Sequence, residues 1–97
     1  MMKQYVVIAN DGNDPEASER RKKARPYHLA GAKKLKENNQ FITGGAILNE
    51  DGQMTGSVMI LQFETVEDFQ NWYSHEPYIK EGVWQTIEVK PFRIAEV

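Results

Sequence analysis

The sequence contains no cysteine, and this absence excludes several kinds of site at once. A chain of 97 residues without a thiol has no disulfides, no thiolate metal ligands and no cysteine nucleophile. It also has only two histidines, and their spacing from the carboxylates is not typical of a metal site. We therefore predict neither a metal nor a cofactor.

Long apolar runs and an excess of basic residues are absent as well. No apolar stretch approaches the about 20 residues that cross a bilayer. The first four residues lead directly into a strand-like run, without the hydrophobic region of a signal peptide. Twelve basic and 14 acidic residues give a net charge of −2, which disfavours nucleic-acid binding. We expect a cytoplasmic protein that binds neither membranes nor nucleic acids.

The pattern of hydrophobic residues predicts the element order β-α-β-β-α-β. Runs of β-branched and aromatic residues indicate strands, and apolar residues at helical spacing indicate helices. Asp14 and Pro15 are expected to start the first helix as N-cap and first helical residue, and Asp51-Gly52 is typical of a hairpin turn. The predicted strands are 3–9, 41–48, 54–63 and 83–94, and the predicted helices are 15–38 and 65–74. This order is typical of a single ferredoxin-like α+β domain over 1–97, with a four-stranded antiparallel sheet under two helices.

Two helices cover only one face of such a sheet. The strand segments 5–8 and 58–61 are apolar at successive positions, which indicates burial on both faces. A chain of this length buries only a thin core by itself. We therefore predict a homodimer, or a higher homo-oligomer, in which the uncovered sheet face packs against its copy.

One histidine, His28, lies in the segment Arg25-Pro26-Tyr27-His28. Pro26 is expected to kink or restart the first helix, which would place His28 in the first turn of the second piece. The positive end of a helix dipole disfavours imidazolium, so a neutral ring there suits a general base. A lone histidine on a half-apolar face is also a common packing residue, and both interpretations remain open.

Asp11, at the end of the first strand, is predicted to reach His28, because the connection folds the helix back over the sheet. A carboxylate bonded to one ring nitrogen fixes the tautomer and raises the basicity of the other nitrogen. The alternative is that Asp11 only stabilises its own turn.

Further residues are predicted to contact a substrate. Arg25 and Arg21 lie three and seven residues before His28. If the kink at Pro26 leaves the helical phase intact, they share about one stripe with it and would hold an anionic group. For Arg21 the alternative is an ion pair with Asp11 or with Glu76 or Glu81.

Three residues outside the first helix complete the predicted pocket: Ser57, Glu76 and Tyr78. Ser57 has no base beside it and is expected to offer a hydroxyl rather than a nucleophile. Its alternative role is a contact with a cross-strand neighbour, and Tyr78 is alternatively a packing residue of the core.

Several short segments match a known pattern in order and over nearly the whole chain. They are YVVIAND at 5–11, RPYHLA at 25–30, Gly44-Gly45, Thr55-Gly56-Ser57, Pro77-Tyr78 with Gly82-Val83, and VKPF at 89–92. Together they resemble the YCII-related (YciI-like) family of dimeric α+β barrel proteins. The resemblance implies a ferredoxin-like protomer, a dimer, and a cleft with an Asp and His pair proposed as catalytic, which falls on Asp11 and His28. The family that the chain resembles includes a chlorinated-hydroquinone dehydrochlorinase among its better understood members.

The chain departs from that family in two places. The family usually has Asp-Pro-Tyr where this chain has Glu76-Pro77-Tyr78, and it has a longer loop with a proline after the glycines where this chain has Ala46 and a short hairpin. The substrate of a relative is therefore not transferred to this chain.

The sequence leads to one preferred function and two alternatives. We predict a cofactor-free acid/base enzyme of the lyase or isomerase type. It is expected to act through the pair of Asp11 and His28, in a cleft of the dimer, on a small anionic compound, aromatic compounds included. The alternatives are a non-catalytic ligand-binding or sensor module that uses the same cleft, and an accessory protein that only associates.

Overall fold

A computed structural model describes residues 2–97, so the first residue of the predicted 1–97 domain lies outside the described part. Seven elements follow one another along the chain. They are β1 (Lys3–Asp11), α1 (Ala17–Glu37), β2 (Phe41–Leu48), β3 (Met54–Phe63), α2 (Val66–His75), α3 (Pro77–Lys80) and β4 (Trp84–Phe92). The predicted strands and the two long helices are confirmed to within about two residues at each end, and the short helix α3 is an addition.

The four strands form one antiparallel sheet in the order β2-β3-β1-β4. The predicted hairpin between β2 and β3 is confirmed, and Gly52 at its turn has φ 77°, a conformation that glycine adopts without strain. Pro91 lies in β4 at the edge of the sheet, where a missing N–H is tolerated. The architecture is the ferredoxin-like α+β fold.

The core lies between the helices and one face of this sheet. Alternate residues of β1 and β3 point into it, with Val7, Ala9, Met59 and Leu61 almost completely buried. At one end of the sheet the aromatic rings of α2 close the core, and Phe69 stacks on Tyr5 with ring centroids 4.4 Å apart. This layer fixes the helices above β1 and β3.

Helix α1 is unbroken, which corrects the prediction of a kink or restart at Pro26. Pro26 lies inside the helix but on its exposed side, so its ring displaces no core contact. Packing holds the helix together across the missing hydrogen bond, through a buried stripe of Ala17, Arg21, Ala24, His28 and Leu35. His28 is therefore in the middle of a helix, away from the positive end of the helix dipole that was expected to keep its ring neutral.

The start of α1 also differs from the prediction. Glu16 is the N-cap and makes no side-chain cap bond, while the side chain of Asp14 forms an ion pair with Arg20, with Nη2 2.6 Å from Oδ1. The hydrogen bond from Arg20 holds the pKa of Asp14 well below its usual value. The pair fastens the loop before α1 to the first turn of the helix.

Candidate functional site

The unbroken helix places three of the predicted residues on one wall of a small cavity. Arg21, Arg25 and His28 are spaced by four and three residues, so they share a face of α1. The opposite wall comes from Gly44 to Ala46 of β2 and from Ser57 of β3, and Tyr78 of α3 also lines the cavity. The cavity has a volume of about 150 Å³.

Apolar side chains and glycine backbone form the rest of this cavity. The apolar lining consists of Leu29, Ala32, Phe41, Met54 and Met59. At Gly44 a Cβ atom would lie 2.8 Å from the carbonyl oxygen of Val58, so no larger residue fits there without a shift of the backbone. Close approach of β2 to β3 thus requires glycine in this wall.

His28 bonds to Glu76, and this corrects the expected hydrogen bond between His28 and Asp11. The Nδ1 atom of His28 lies 2.5 Å from Oε1 of Glu76, and both side chains are largely buried. An ionised carboxylate only accepts hydrogen bonds, so with Glu76 ionised the proton of this bond lies on Nδ1. In the neutral ring Nε2 therefore carries the lone pair and can accept a proton.

The position of Glu76 follows from the start of α3. Glu76 is the N-cap of this helix and Pro77 is its first residue; the same Oε1 accepts a hydrogen bond of 3.1 Å from the backbone N–H of Tyr78. The cap immobilises the carboxylate that faces His28. Glu76 followed by Pro77 is a sequence pattern typical of a helix start. The sequence analysis did not predict a helix from it.

Aromatic rings hold the imidazole on two further sides. The ring of Tyr78 stacks on His28 with centroids 4.0 Å apart and planes 11° apart, and the indole of Trp84 meets it edge-on at 5.9 Å. Burial raises the pKa of the Tyr78 phenol, and the charges of Arg21 and Arg25 oppose this shift. Tyr78 is 1% exposed, so it packs in the core as the alternative interpretation proposed, while its ring also borders the cavity.

Asp11 forms an ion pair with Arg21 instead of bonding to His28. Both carboxylate oxygens lie 3.0 Å from Nη1 of Arg21, and the two side chains are 4% and 7% exposed. A register shift between Asn10 and Asp11 accompanies the end of β1. The ion pair that the sequence analysis offered as the alternative for Arg21 is thus confirmed, with Asp11 as the partner.

Arg21 carries this network on to Ser57. Nη2 of Arg21 donates to Oγ of Ser57 at 3.0 Å, and Nε1 of Trp84 donates to the same oxygen at 3.2 Å. The guanidinium carbon of Arg21 also lies 4.8 Å from the centroid of the Tyr78 ring. Trp84 is a buried core residue, and this hydrogen bond makes it part of the polar network of the site as well.

Arg25 differs from Arg21 because it is exposed at the cavity and forms no salt bridge within residues 2–97. An unpaired guanidinium beside a cavity suits an anionic group of a ligand. Among the same residues, no three His, Asp or Glu side chains converge in a way that could hold a metal ion. Arg25, His28 and Ser57 are thus the polar residues of the cavity wall besides the ion-paired Arg21 and the core residue Tyr78.

Comparison with known proteins agrees with this geometry. The model of the YCII-related domain matches residues 3–93. An uncharacterised protein of Haemophilus influenzae is 37% identical over 95 residues, covering 92% of this chain and 95% of its own. Protein YciI of Escherichia coli is 36% identical with the same coverage.

A solved structure shows the same fold. It is the 5-chloro-2-hydroxyhydroquinone dehydrochlorinase TftG of Burkholderia phenoliruptrix in complex with 2,5-dihydroxybenzoquinone, with a TM-score of 0.79, 23% identity and 95% coverage of both chains. In the described part of our chain, none of the helices has the length and apolar character that a membrane crossing requires. The matches over nearly the whole length, together with the segments that carry the resemblance, show that this chain belongs to the YCII-related family.

Proposed function

We propose that this protein is a cofactor-free acid/base enzyme of the lyase or isomerase type, acting on a small anionic compound in the cavity beside His28. The observation that carries the proposal is the 2.5 Å hydrogen bond between His28 Nδ1 and Glu76, at the wall of a cavity that also presents Arg25. A histidine whose tautomer is fixed by a carboxylate is the usual arrangement for a general acid/base.

Four polar residues have different roles in the proposed reaction. His28 takes up and returns the proton at Nε2, and Glu76 orients the ring and stabilises the imidazolium that forms. Arg25 holds the anionic group of the substrate. Asp11 acts indirectly, because it neutralises Arg21 and thereby fixes the side of the cavity where Ser57 lies.

The class of substrate follows from the size and the lining of the cavity. A cavity of about 150 Å³ is comparable to engineered cavities that take up benzene. Apolar side chains together with one free cation suit a small carboxylate or phenolate. TftG, which shares the fold at 23% identity, is a dehydrochlorinase of a hydroxyhydroquinone, so this class of compound belongs in a substrate screen.

The experiment is a screen for proton transfer followed by substitution of His28. Small carboxylates, phenols and hydroxyquinones are incubated with the protein in D₂O, and elimination or deuterium incorporation is followed by NMR. For a compound that turns over, His28→Gln is expected to lower kcat about 10²- to 10⁴-fold, because the side chain keeps its polarity but loses its acid/base function. The matched control is His75→Gln, which changes the exposed histidine at the end of α2 and should leave kcat unchanged.

Two carboxylate variants separate the roles of Glu76 and Asp11. Glu76→Gln should reproduce most of the loss of kcat, since it removes the charge that stabilises imidazolium. Asp11→Asn leaves the buried Arg21 without a charged partner, and its main effect should be a lower free energy of unfolding, by up to about 3–5 kcal/mol. Full kcat in His28→Gln would contradict the proposal, and ligand-induced stabilisation without any turnover would favour the binding module instead.

We also propose that the protein forms a homodimer through the sheet face that the helices leave uncovered. Val6, Ile8, Val58 and Ile60 alternate with the core residues of β1 and β3, so they point to this other face. Each remains partly exposed in the protomer, and together they form a contiguous apolar surface at the centre of the sheet. A second copy of the same face would bury it.

A further inference from the structure

Ser57 is the polar residue of the cavity whose hydrogen bonds have a fixed direction. Its Oγ atom lies 3.0 Å from Nη2 of Arg21 and 3.2 Å from Nε1 of Trp84. Guanidinium and indole N–H groups can donate hydrogen bonds but cannot accept them. Both contacts therefore use the oxygen of Ser57 as the acceptor.

This arrangement leaves Ser57 only one kind of bond to make. A hydroxyl oxygen has two lone pairs, and here both are taken, so the O–H proton is the remaining group. No hydrogen bond donated by Ser57 is found within the part of the chain that the structure describes. Ser57 is 3% exposed and lines the cavity, which leaves the cavity as the space into which the proton can be donated.

Two features fix the direction of the hydrogen bonds at Ser57. Arg21 is fixed by two hydrogen bonds to the buried Asp11, and Trp84 lies in the core at 4% exposure, so neither donor can turn away easily. Donation from a cation also polarises the hydroxyl, which strengthens the bond that it donates in turn. A ligand N–H group placed at Ser57 would find no acceptor there.

We infer that Ser57 is a specificity-determining residue that accepts only ligands with a hydrogen-bond acceptor oxygen at that side of the cavity, such as a carboxylate, phenolate or carbonyl oxygen. The inference rests on the proposed function only in placing the ligand in this cavity. It goes further because it states which atom of the ligand faces β3, and because it assigns Trp84 an indirect role through the second lone pair of Ser57.

Two probes of nearly the same shape test this direction. Benzoate carries two acceptor oxygens and benzamidine carries donor N–H groups on the same planar ring. Isothermal titration calorimetry of the unsubstituted protein should show tighter binding of benzoate. In Ser57→Ala the affinity for benzoate should fall about tenfold, while that for benzamidine stays within twofold. Because the substitution changes no charge, this difference reports the hydrogen bond rather than Coulomb attraction to Arg25.

Ser57→Ala leaves two buried donors without an acceptor and can therefore impair folding. A second variant tests the same hydrogen bonds without removing Ser57. Trp84→Phe keeps an aromatic ring but frees one lone pair of Ser57, so the hydroxyl can then accept a bond from a ligand. The affinity for benzamidine should rise several-fold, and the affinity for benzoate should change little. A merely structural role of Trp84 would lower both affinities together.

The outcomes separate this inference from the proposed function, because binding is measured without turnover. Equal losses of benzoate and benzamidine in both variants, or no binding of benzoate to the unsubstituted protein, would overturn the role of Ser57. Full turnover in His28→Gln would overturn the acid/base proposal and leave the role of Ser57 in place.

Discussion

At the scale of single residues, one carboxylate performs two tasks in this site. Glu76 caps α3 through the N–H of Tyr78 and orients His28 through the same oxygen atom. The family resemblance of the sequence implies an aspartate at this position, and glutamate is longer by one methylene. The residue that departs from the family pattern is thus the one that contacts the proposed acid/base.

A prediction for Tyr78 concerns alkaline pH. Burial raises the pKa of its phenol above the usual value of 10.0, so the folded protein binds this proton more tightly than the unfolded chain does. The stabilisation is fully present below pH 10 and is lost as the pH rises toward the pKa of the folded state. The free energy of unfolding should fall above pH 10 with a slope of up to about 1.4 kcal/mol per pH unit from this group.

Tyr78→Phe keeps the ring that stacks on His28 and removes the titrating hydroxyl. Urea unfolding of both proteins between pH 9 and about pH 11 should show a shallower decline for the variant. Tyr27→Phe is the matched control, since Tyr27 is exposed on α1 and should leave the slope unchanged. Parallel curves for the unsubstituted protein and Tyr78→Phe would contradict the assigned effect of burial.

At the scale of elements, the continuity of α1 decides which side chains meet. If the helix restarted at Pro26, the stripe of Arg21, Arg25 and His28 would change phase in the middle. Because the helix continues, all three line one cavity, and Leu35, about two turns after His28, still packs in the core. Packing along the buried stripe outweighs the local preference of proline.

Replacing that proline should stabilise the protein. Pro26 is exposed, and its ring makes the backbone of α1 lose one intrahelical hydrogen bond. Pro26→Ala restores the N–H donor, and the gain is partly offset by the greater freedom of the unfolded chain, so we expect an increase of about 1–2 kcal/mol in the free energy of unfolding. Thermal and urea denaturation measure it. A lower midpoint in the variant would show that the proline supports a geometry that the helix needs.

At the scale of the whole molecule, the two faces of the sheet differ in what they present. The face under α1 and α2 holds the core and the proposed site, while the other face presents its apolar centre with the charged side chains of Glu88 and Lys90 on β4 beside it. The proposed site lies on the covered face.

Sedimentation velocity at micromolar concentration tests the proposed homodimer. The unsubstituted chain should sediment as a dimer with an interface of about 1,600 Å² or more. Val58→Lys places a charge in the centre of the uncovered face and should give monomers, whereas Tyr27→Lys, on the outer side of α1, should remain dimeric. A stable monomer of the unsubstituted chain would defeat this proposal.

The sequence alone determined the fold class, and it placed three residues of the proposed site on one helix. Hydrophobic period, turn residues and caps are local signals, and they predicted the strands and long helices to within about two residues. The same signals placed His28, Arg21 and Arg25 on one helix stripe, and all three line the cavity. Even the short α3, which was not predicted, has a local signature in Glu76-Pro77, because an acid followed by proline is typical of a helix start.

Only the tertiary structure decided which charged groups pair. Asp11 and Glu76 are 17 and 48 residues from His28 in the sequence; Asp11 is the last residue of β1 and Glu76 directly follows α2. Sequence spacing carries no information about which of them reaches the imidazole, because the pairing depends on where α3 and the end of β1 pack. The same physical reason applies to Pro26: its local preference is to break the helix, and long-range burial of the stripe beneath it decides otherwise.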